Sequence, residues 1–203
     1  IILKCIQRKA AGHNIYLYDY SATNKESPAV IGARFAEWMT KNGLNTGNTN
    51  VIAHSMGGLV VREAVEFNSV RLNKFVMIAT PNQGSSLAKA KWPDDPASKY
   101  MTPGSVELEN LNDPRNVNRL FANVKSIAIF AAYGDLAISN SNMDRVEIPH
   151  APNNAGRYIL YTFPVQSRNN PNGVPYVMSS GGTHNTLVSY DPAQALIRRY
   201  IGW

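Results

Sequence analysis

Asn50-Val51-Ile52-Ala53-His54-Ser55-Met56-Gly57-Gly58-Leu59-Val60-Val61 runs from a short apolar segment, through a serine set among small residues, into a second apolar segment. Residues Asn50 to Ala53 read as a strand, His54 to Gly58 as a turn, and about Leu59 to Phe67 as a helix. A Gly-x-Ser-x-Gly pattern between a strand and a helix holds its serine at a sharp, strained corner. Ala53 stands at the first glycine position, larger by one methyl, and Gly57 at the second. Small residues are expected there because a bulkier side chain two places from the serine would meet the neighbouring helix or strand. The helix behind Ser55 points its positive end at this corner, which favours negative charge built up during acyl transfer. Ser55 is therefore the candidate nucleophile; the plainer alternative is that it only caps a helix.

Outward from this corner, short apolar strands alternate with helices, the pattern of a parallel sheet covered on both faces. Leu3, Ile6 and Ala10 recur at helical spacing, with Gly12 able to end that helix. Asn14 to Tyr20 (NIYLYDY) reads as a strand. Ile31, Phe35 and Trp38 make one apolar helix face, closed by Gly43. Lys74 to Ala79 and Ser126 to Tyr133 read as further buried strands. Asp191, Pro192 and Gln194 read as the N-cap, first turn and capping-box partner of a last helix.

Two segments break the rhythm. Residues 82–123 are too long for an ordinary connection and carry two short amphipathic helices, Val106 to Leu111 and Val117 to Phe121. Residues 143–175 hold an extra strand at Tyr158 to Val165 and a loop at Asn169 to Gly173. The chain is thus expected to be one α/β domain over residues 1–203, with 82–123 as a lid or cap insertion. Val106, Leu108, Leu111, Leu120 and Phe121 offer apolar surface there, either to a bound chain or to the core.

Composition narrows the function classes. The 203 residues carry a formal charge of +6, but Arg71, Lys74, Lys89 and Lys91 are scattered, and no basic run alternates with aromatics. The charge reads as a solvated surface, suited at most to anionic lipid or acidic polymers, and nucleic acid is not expected as a partner. The longest apolar run is about seven residues (Ile127 to Tyr133), short of the ~18–20 that a membrane span needs. The lone Cys5 excludes an internal disulfide framework. No Gly-x-Gly-x-x-Gly, Gly-Lys-Ser/Thr or His-Glu-x-x-His pattern points to a phosphate, cofactor or metal, so none is expected.

Ala53-His54-Ser55-Met56-Gly57-Gly58, followed by LVVREAVEF, resembles the nucleophile turn of bacterial lipases and esterases in the α/β-hydrolase superfamily. Thr80-Pro81-Asn82-Gln83-Gly84-Ser85 resembles the TPxxGS turn after the next strand of those lipases. The resemblance implies a lipase or carboxylesterase acting on lipid esters through an acyl-enzyme on Ser55, with interfacial lipid contact and secretion to the cell exterior. A cytoplasmic enzyme is the alternative location. An acyltransferase, thioesterase or peptidase, or a non-catalytic binding protein on the same fold, are the alternative functions.

A serine hydroxyl needs a histidine to take its proton and a carboxylate to orient that histidine, here in the order Ser, acid, His. His13 precedes Ser55, and His54 is expected to project away from it across the turn. His184, in GGTHNTL before the last helix, is favoured, with His150 in reserve; the resembled lipases keep a histidine in the place of His184. Asp135, at the carboxyl end of the strand SIAIFAAY, is the favoured acid and Asp144 its rival. The Met56 backbone N–H is the expected first oxyanion donor. In the resembled family a second comes from a His-Gly-type loop ahead of the first helix. The sequence opens Ile1-Ile2-Leu3, and the functional protein is expected to carry roughly 20–40 further residues upstream, enough for that strand and loop.

Overall fold

The computed structural model describes residues 13–91, 94–135, 143–152, 157–178 and 182–203. The expected first helix (Leu3, Ile6, Ala10, Gly12) lies outside the described residues. Four strands form one parallel sheet in the order β1 (Asn50–His54), β2 (Leu72–Ile78), β3 (Val124–Ala132) and β4 (Tyr158–Phe163). β2 and β3 are buried along most of their length because helices cover both faces of a parallel sheet. Phe75, Val76, Met77, Ile127, Ala128, Ile129 and Phe130 are fully enclosed and form the centre of the core.

Helix α1 (Pro28–Lys41) begins at Ser27, whose hydroxyl accepts from the Ala29 N–H, and Pro28 suits the first turn. It buries Ile31, Phe35 and Met39, and its end passes into Gly43 at φ 67°, the left-handed exit expected there. α2 (Met56–Phe67) packs against α1 so closely that a Cβ on Gly32 would lie 2.6 Å from Glu63 Cβ.

The expected strand at Asn14 to Tyr20 is not one: the segment pairs with no ladder, and β1 is the edge of the described sheet. Its tyrosines instead satisfy themselves through their rings. Tyr18 lies 5.1 Å from Phe35 and 5.3 Å from Trp38, and Tyr16 meets Trp38 edge-on. An aromatic-rich segment can thus pack on a helix without any sheet partner.

The described residues of 82–123 form four helices: α3 (Ser86–Lys91), α4 (Pro96–Tyr100), α5 (Val106–Leu111) and α6 (Pro114–Asn123). The expected α5 has the bounds found, and α6 starts earlier, at Pro114 after its Asp113 cap. α3 and α4 are too short to show periodicity in the sequence. Leu108 and Leu111 pack with Leu59 and Tyr100, and Leu120 and Phe121 join the main core, while Val106 stays 77% exposed. Arg62 of α2 ties this segment down from within. Its fully buried guanidinium donates to Asn82 Oδ1 (3.1 Å), Asn112 Oδ1 (2.9 Å), the Leu111 carbonyl (2.9 Å) and Glu66 Oε1 (2.8 Å). Tyr100 donates to the Glu63 carboxylate one position along.

α7 (Thr186–Ser189) and α8 (Asp191–Ile201) close the chain. Asp191 is the first residue of α8 rather than its N-cap, which is Tyr190, and Gln194 donates to the Val188 carbonyl instead of completing a capping box. α7 ends so close to α8 that its carbonyls take the donor a free N-terminus would have used. Asn50, Lys74 and Ser126 are register partners on three neighbouring strands. Each bonds the end of α8: Asn50 Nδ2 and Lys74 Nζ donate to the carbonyls of Ile201 and Tyr200, and Ser126 Oγ meets Tyr200 Oη.

Candidate active site

β1 ends at His54 and α2 begins at Met56, so Ser55 alone makes the corner, at φ 55° and ψ −132°. A non-glycine residue in that region costs on the order of 1–3 kcal/mol and persists only where its surroundings fix it. Here the Ser55 N–H donates to the Ile78 carbonyl (2.8 Å), and the Ser55 carbonyl accepts from Gly58 (3.0 Å). The N–H of Met56, the first helical residue, has no acceptor within its own helix and lies beside Ser55.

The steric demand falls one residue later than expected. A Cβ on Gly57 would meet Tyr20 Oη at 3.2 Å and Ala53 Cβ at 3.7 Å, a tight but nearly ordinary fit. On Gly58 it would lie 2.0 Å from Thr80 Oγ1 and 2.5 Å from Thr80 Cγ2. Thr80 is completely buried.

Asp135 follows β3 after Gly134, which takes φ 78°, and its carboxylate is buried. The loop before α7 pairs back onto it: Asp135 bridges Gly182, the Thr183 N–H donates to the Gly134 carbonyl (3.1 Å), and Thr183 Oγ1 donates to the Tyr133 carbonyl (2.9 Å). His184 is thereby delivered to both partners. Its Nδ1 lies 3.0 and 2.9 Å from the two Asp135 carboxylate oxygens, and its Nε2 lies 2.9 Å from Ser55 Oγ. A carboxylate accepts only, so Nδ1 carries the ring proton and Nε2 is free to accept from the serine hydroxyl.

Of the remaining histidines, His13 is exposed against Trp203 and His150 is exposed at φ 60°. Asp144 lies by its backbone in the short turn Met143–Val146, and its side chain falls outside the described residues. His54 departs from expectation. It does not project away from the site; its Nε2 sits 3.0 Å from the His184 carbonyl, and the two rings lie 4.8 Å apart. Strand alternation sends neighbouring side chains to opposite faces, but the turn at Ser55 folds the chain so that the loop bearing His184 arrives over His54. Burial, and then the neighbouring His184, push the His54 ring down to about 4. Nothing in the sequence signals this contact, because its partner is 130 positions away.

Apolar surface is exposed on the segments next to these loops. Tyr133, Tyr176, Val177 and Met178 are exposed, the Tyr176 ring lies over Gly134, and Val177 exchanges backbone hydrogen bonds with Gly182. Among the described residues no three His, Cys, Asp or Glu gather as a metal site, and no helix is long and apolar enough to cross a membrane.

A scan against protein families finds no match, and a search of the curated proteins likewise finds none. Among solved structures the chain is similar to the lipase-esterase related protein of Clostridium acetobutylicum. The TM-score is 0.50 at 13% identity, covering 93% of this chain and 79% of that one. Phospholipase PlaB of Legionella pneumophila matches with a TM-score of 0.48 and 16% identity, over 66% of this chain and 36% of that one. Lipase BlEst2 of Bacillus licheniformis, in its mature form, matches with a TM-score of 0.45 and 15% identity, over 53% of this chain. The chain spans 28% of BlEst2 with its propeptide and 49% of the mature form. At such identities the likeness speaks for the fold. With four parallel strands sheathed in helices and the Clostridium protein as structural relative, the chain has an α/β-hydrolase-like fold.

Proposed function

We propose that the protein is a serine hydrolase that cleaves carboxylic esters of lipids through an acyl-enzyme on Ser55. The observation that carries this reading is the unbroken relay from Ser55 Oγ through His184 to the buried Asp135, each link 2.9–3.0 Å. In the first half-reaction Ser55 Oγ attacks the ester carbonyl carbon while His184 Nε2 takes its proton. Asp135 holds the imidazole in the Nδ1–H tautomer and stabilises the imidazolium. The oxyanion forms against the Met56 N–H and the positive end of α2, in a setting where backbone donors act without reorganising. His184 then gives its proton to the departing alcohol. In the second half-reaction a water takes the place of Ser55 Oγ as nucleophile and loses its proton to His184, which passes that proton to Ser55 Oγ as the carboxylic acid leaves.

The apolar side chains beside the relay favour an acyl chain over a polar substrate. The same relay serves a thioester or transfer to an alcohol, and competition between water and an added alcohol for the acyl group separates these chemistries.

Reaction with a fluorophosphonate probe and turnover of p-nitrophenyl esters test the proposal. A single labelled peptide containing AHSMGG, absent from Ser55→Ala, is the expected result. Labelling at a different serine, or an unlabelled protein that is demonstrably folded, overturns it.

A further inference from the structure

We propose that His54 is a positioning residue: by donating its Nε2–H to the His184 carbonyl, it holds the loop of the base in register with the strand of the nucleophile. The inference rests on Ser55, Asp135 and His184 acting as the catalytic relay.

The hydrogen bonds described for the base loop reach mainly one way. Thr183 is tied to Gly134 and Tyr133, and Gly182 to Val177, so these contacts fix His184 relative to the acid. His54 reaches the other way. It is the last residue of β1, adjacent to Ser55, and bonds the backbone of His184 itself at 3.0 Å. The direct bond between His184 and Ser55 cannot hold this spacing through a turnover, since its proton moves to the imidazole as Oγ attacks. The bond from His54 is not consumed at any step.

The chemistry of the contact sets the state of the ring. A carbonyl only accepts, so Nε2 must carry the proton, leaving Nδ1 as the bare nitrogen. Enclosure keeps the ring neutral, so that no second cation stands 4.8 Å from His184 when His184 becomes imidazolium. The rings meet at 43°, and this face contact limits how far the His184 ring can turn from Ser55.

His54→Phe keeps a ring and removes the donor. His54→Gln keeps an N–H donor at the same number of bonds from Cα. In the whole protein, His54→Phe should slow fluorophosphonate labelling and lower kcat for p-nitrophenyl acetate by about 10–100-fold, the scale of a misplaced catalytic group, with KM within about twofold. His54→Gln should recover most of that loss. A purely structural role would not divide kcat from KM in this way, nor distinguish Gln from Phe. Nitrogen-correlated NMR of the unaltered protein supplies a test independent of folding in the variants, with a protonated Nε2 on His54 as the expected signal. A protonated Nδ1 with bare Nε2, or wild-type labelling and kcat in folded His54→Phe, overturns the proposal. Failure of Ser55 to label in the unaltered protein overturns the relay itself, which is a separate result.

Discussion

Gly58 and Thr80 are in contact so close that no side chain fits between them: a Cβ on Gly58 would stand 2.0 Å from Thr80 Oγ1 and 2.8 Å from Thr80 Cβ. The contact presses the first turn of α2 against Thr80, the second residue after β2. Gly58→Ala must therefore push α2 or Thr80 out of place. Overpacking of this kind costs ~1–3 kcal/mol and should lower the melting temperature by roughly 5–10 °C. Gly57→Ala, which meets Tyr20 Oη at 3.2 Å and Ala53 Cβ at 3.7 Å, should lower it much less. Thermal denaturation of the two variants decides the matter, and equal melting points would mean that Thr80 has room to move.

Asp135 and Asp144 are nine positions apart, and the proposed relay assigns the acid role to Asp135. The buried Asp135 carboxylate meets His184 Nδ1 through both oxygens. Asp135→Asn should drop kcat by on the order of 10⁴-fold, because the amide can present a donor to Nδ1 and favour the wrong tautomer. Asp144→Asn should change kcat by less than about threefold. Ester turnover by the two variants, with circular dichroism as the check on folding, tests the assignment. A severe Asp144→Asn would move the acid role to Asp144.

What the sequence made legible follows from what is local. Strands β1 to β3 announce themselves as apolar runs, and the serine corner between β1 and α2 is a pattern within six residues. The order of Asp135 and His184 along the chain pointed to the two groups that lie within hydrogen-bonding distance of each other. Contacts made only by the tertiary structure stayed hidden. In LVVREAVEF the charges of Arg62, Glu63 and Glu66 would ordinarily face water, yet all three are buried where α2 meets the insertion. Burial pushes the Glu66 carboxyl up, with the Arg62 guanidinium opposing it. The network exists because Asn82, Asn112 and the Leu111 carbonyl arrive from elsewhere to satisfy Arg62. His54 was misjudged for the same reason, since strand alternation describes neighbours in the chain and not a loop 130 residues on.

Acyl-chain preference should be governed by the exposed apolar flank rather than by the interior of residues 82–123. The Tyr176 ring lies over Gly134, and Met178, 73% exposed, follows Val177, whose backbone pairs with Gly182; Leu108 and Leu111 are instead enclosed against Leu59 and Tyr100. Met178→Asp should lower the ratio of octanoate to acetate ester hydrolysis by several-fold, about what ~1 kcal/mol of lost apolar contact implies, at little change in melting temperature. Leu108→Asn should do the reverse, lowering the melting temperature while the ratio holds. An unchanged ratio in Met178→Asp, or a shifted one in Leu108→Asn, would reverse the assignment.

His54 also gives the protein a defined response to acid. Burial, and then the neighbouring His184, hold its folded-state ring at about 4, whereas an unfolded chain titrates near the ordinary value of 6.5. Between those two values the unfolded chain takes up a proton that the folded chain refuses. The stabilisation is therefore present in full above pH 6.5 and is lost as pH falls toward 4. One proton over that interval corresponds to on the order of 3 kcal/mol. The titratable groups on this side of the ring are His184, whose ring lies 4.8 Å away, and Asp135, which bonds His184 Nδ1. Both remain in His54→Gln, so subtracting the two stability curves isolates His54. Urea unfolding of each protein at intervals from pH 7.5 to 4 should show the unaltered protein losing stability faster than His54→Gln, with the gap opening below pH 6.5. Parallel curves across that range would mean that His54 takes up its proton in the folded state, and with it the loss of the neutral donor that faces the His184 carbonyl.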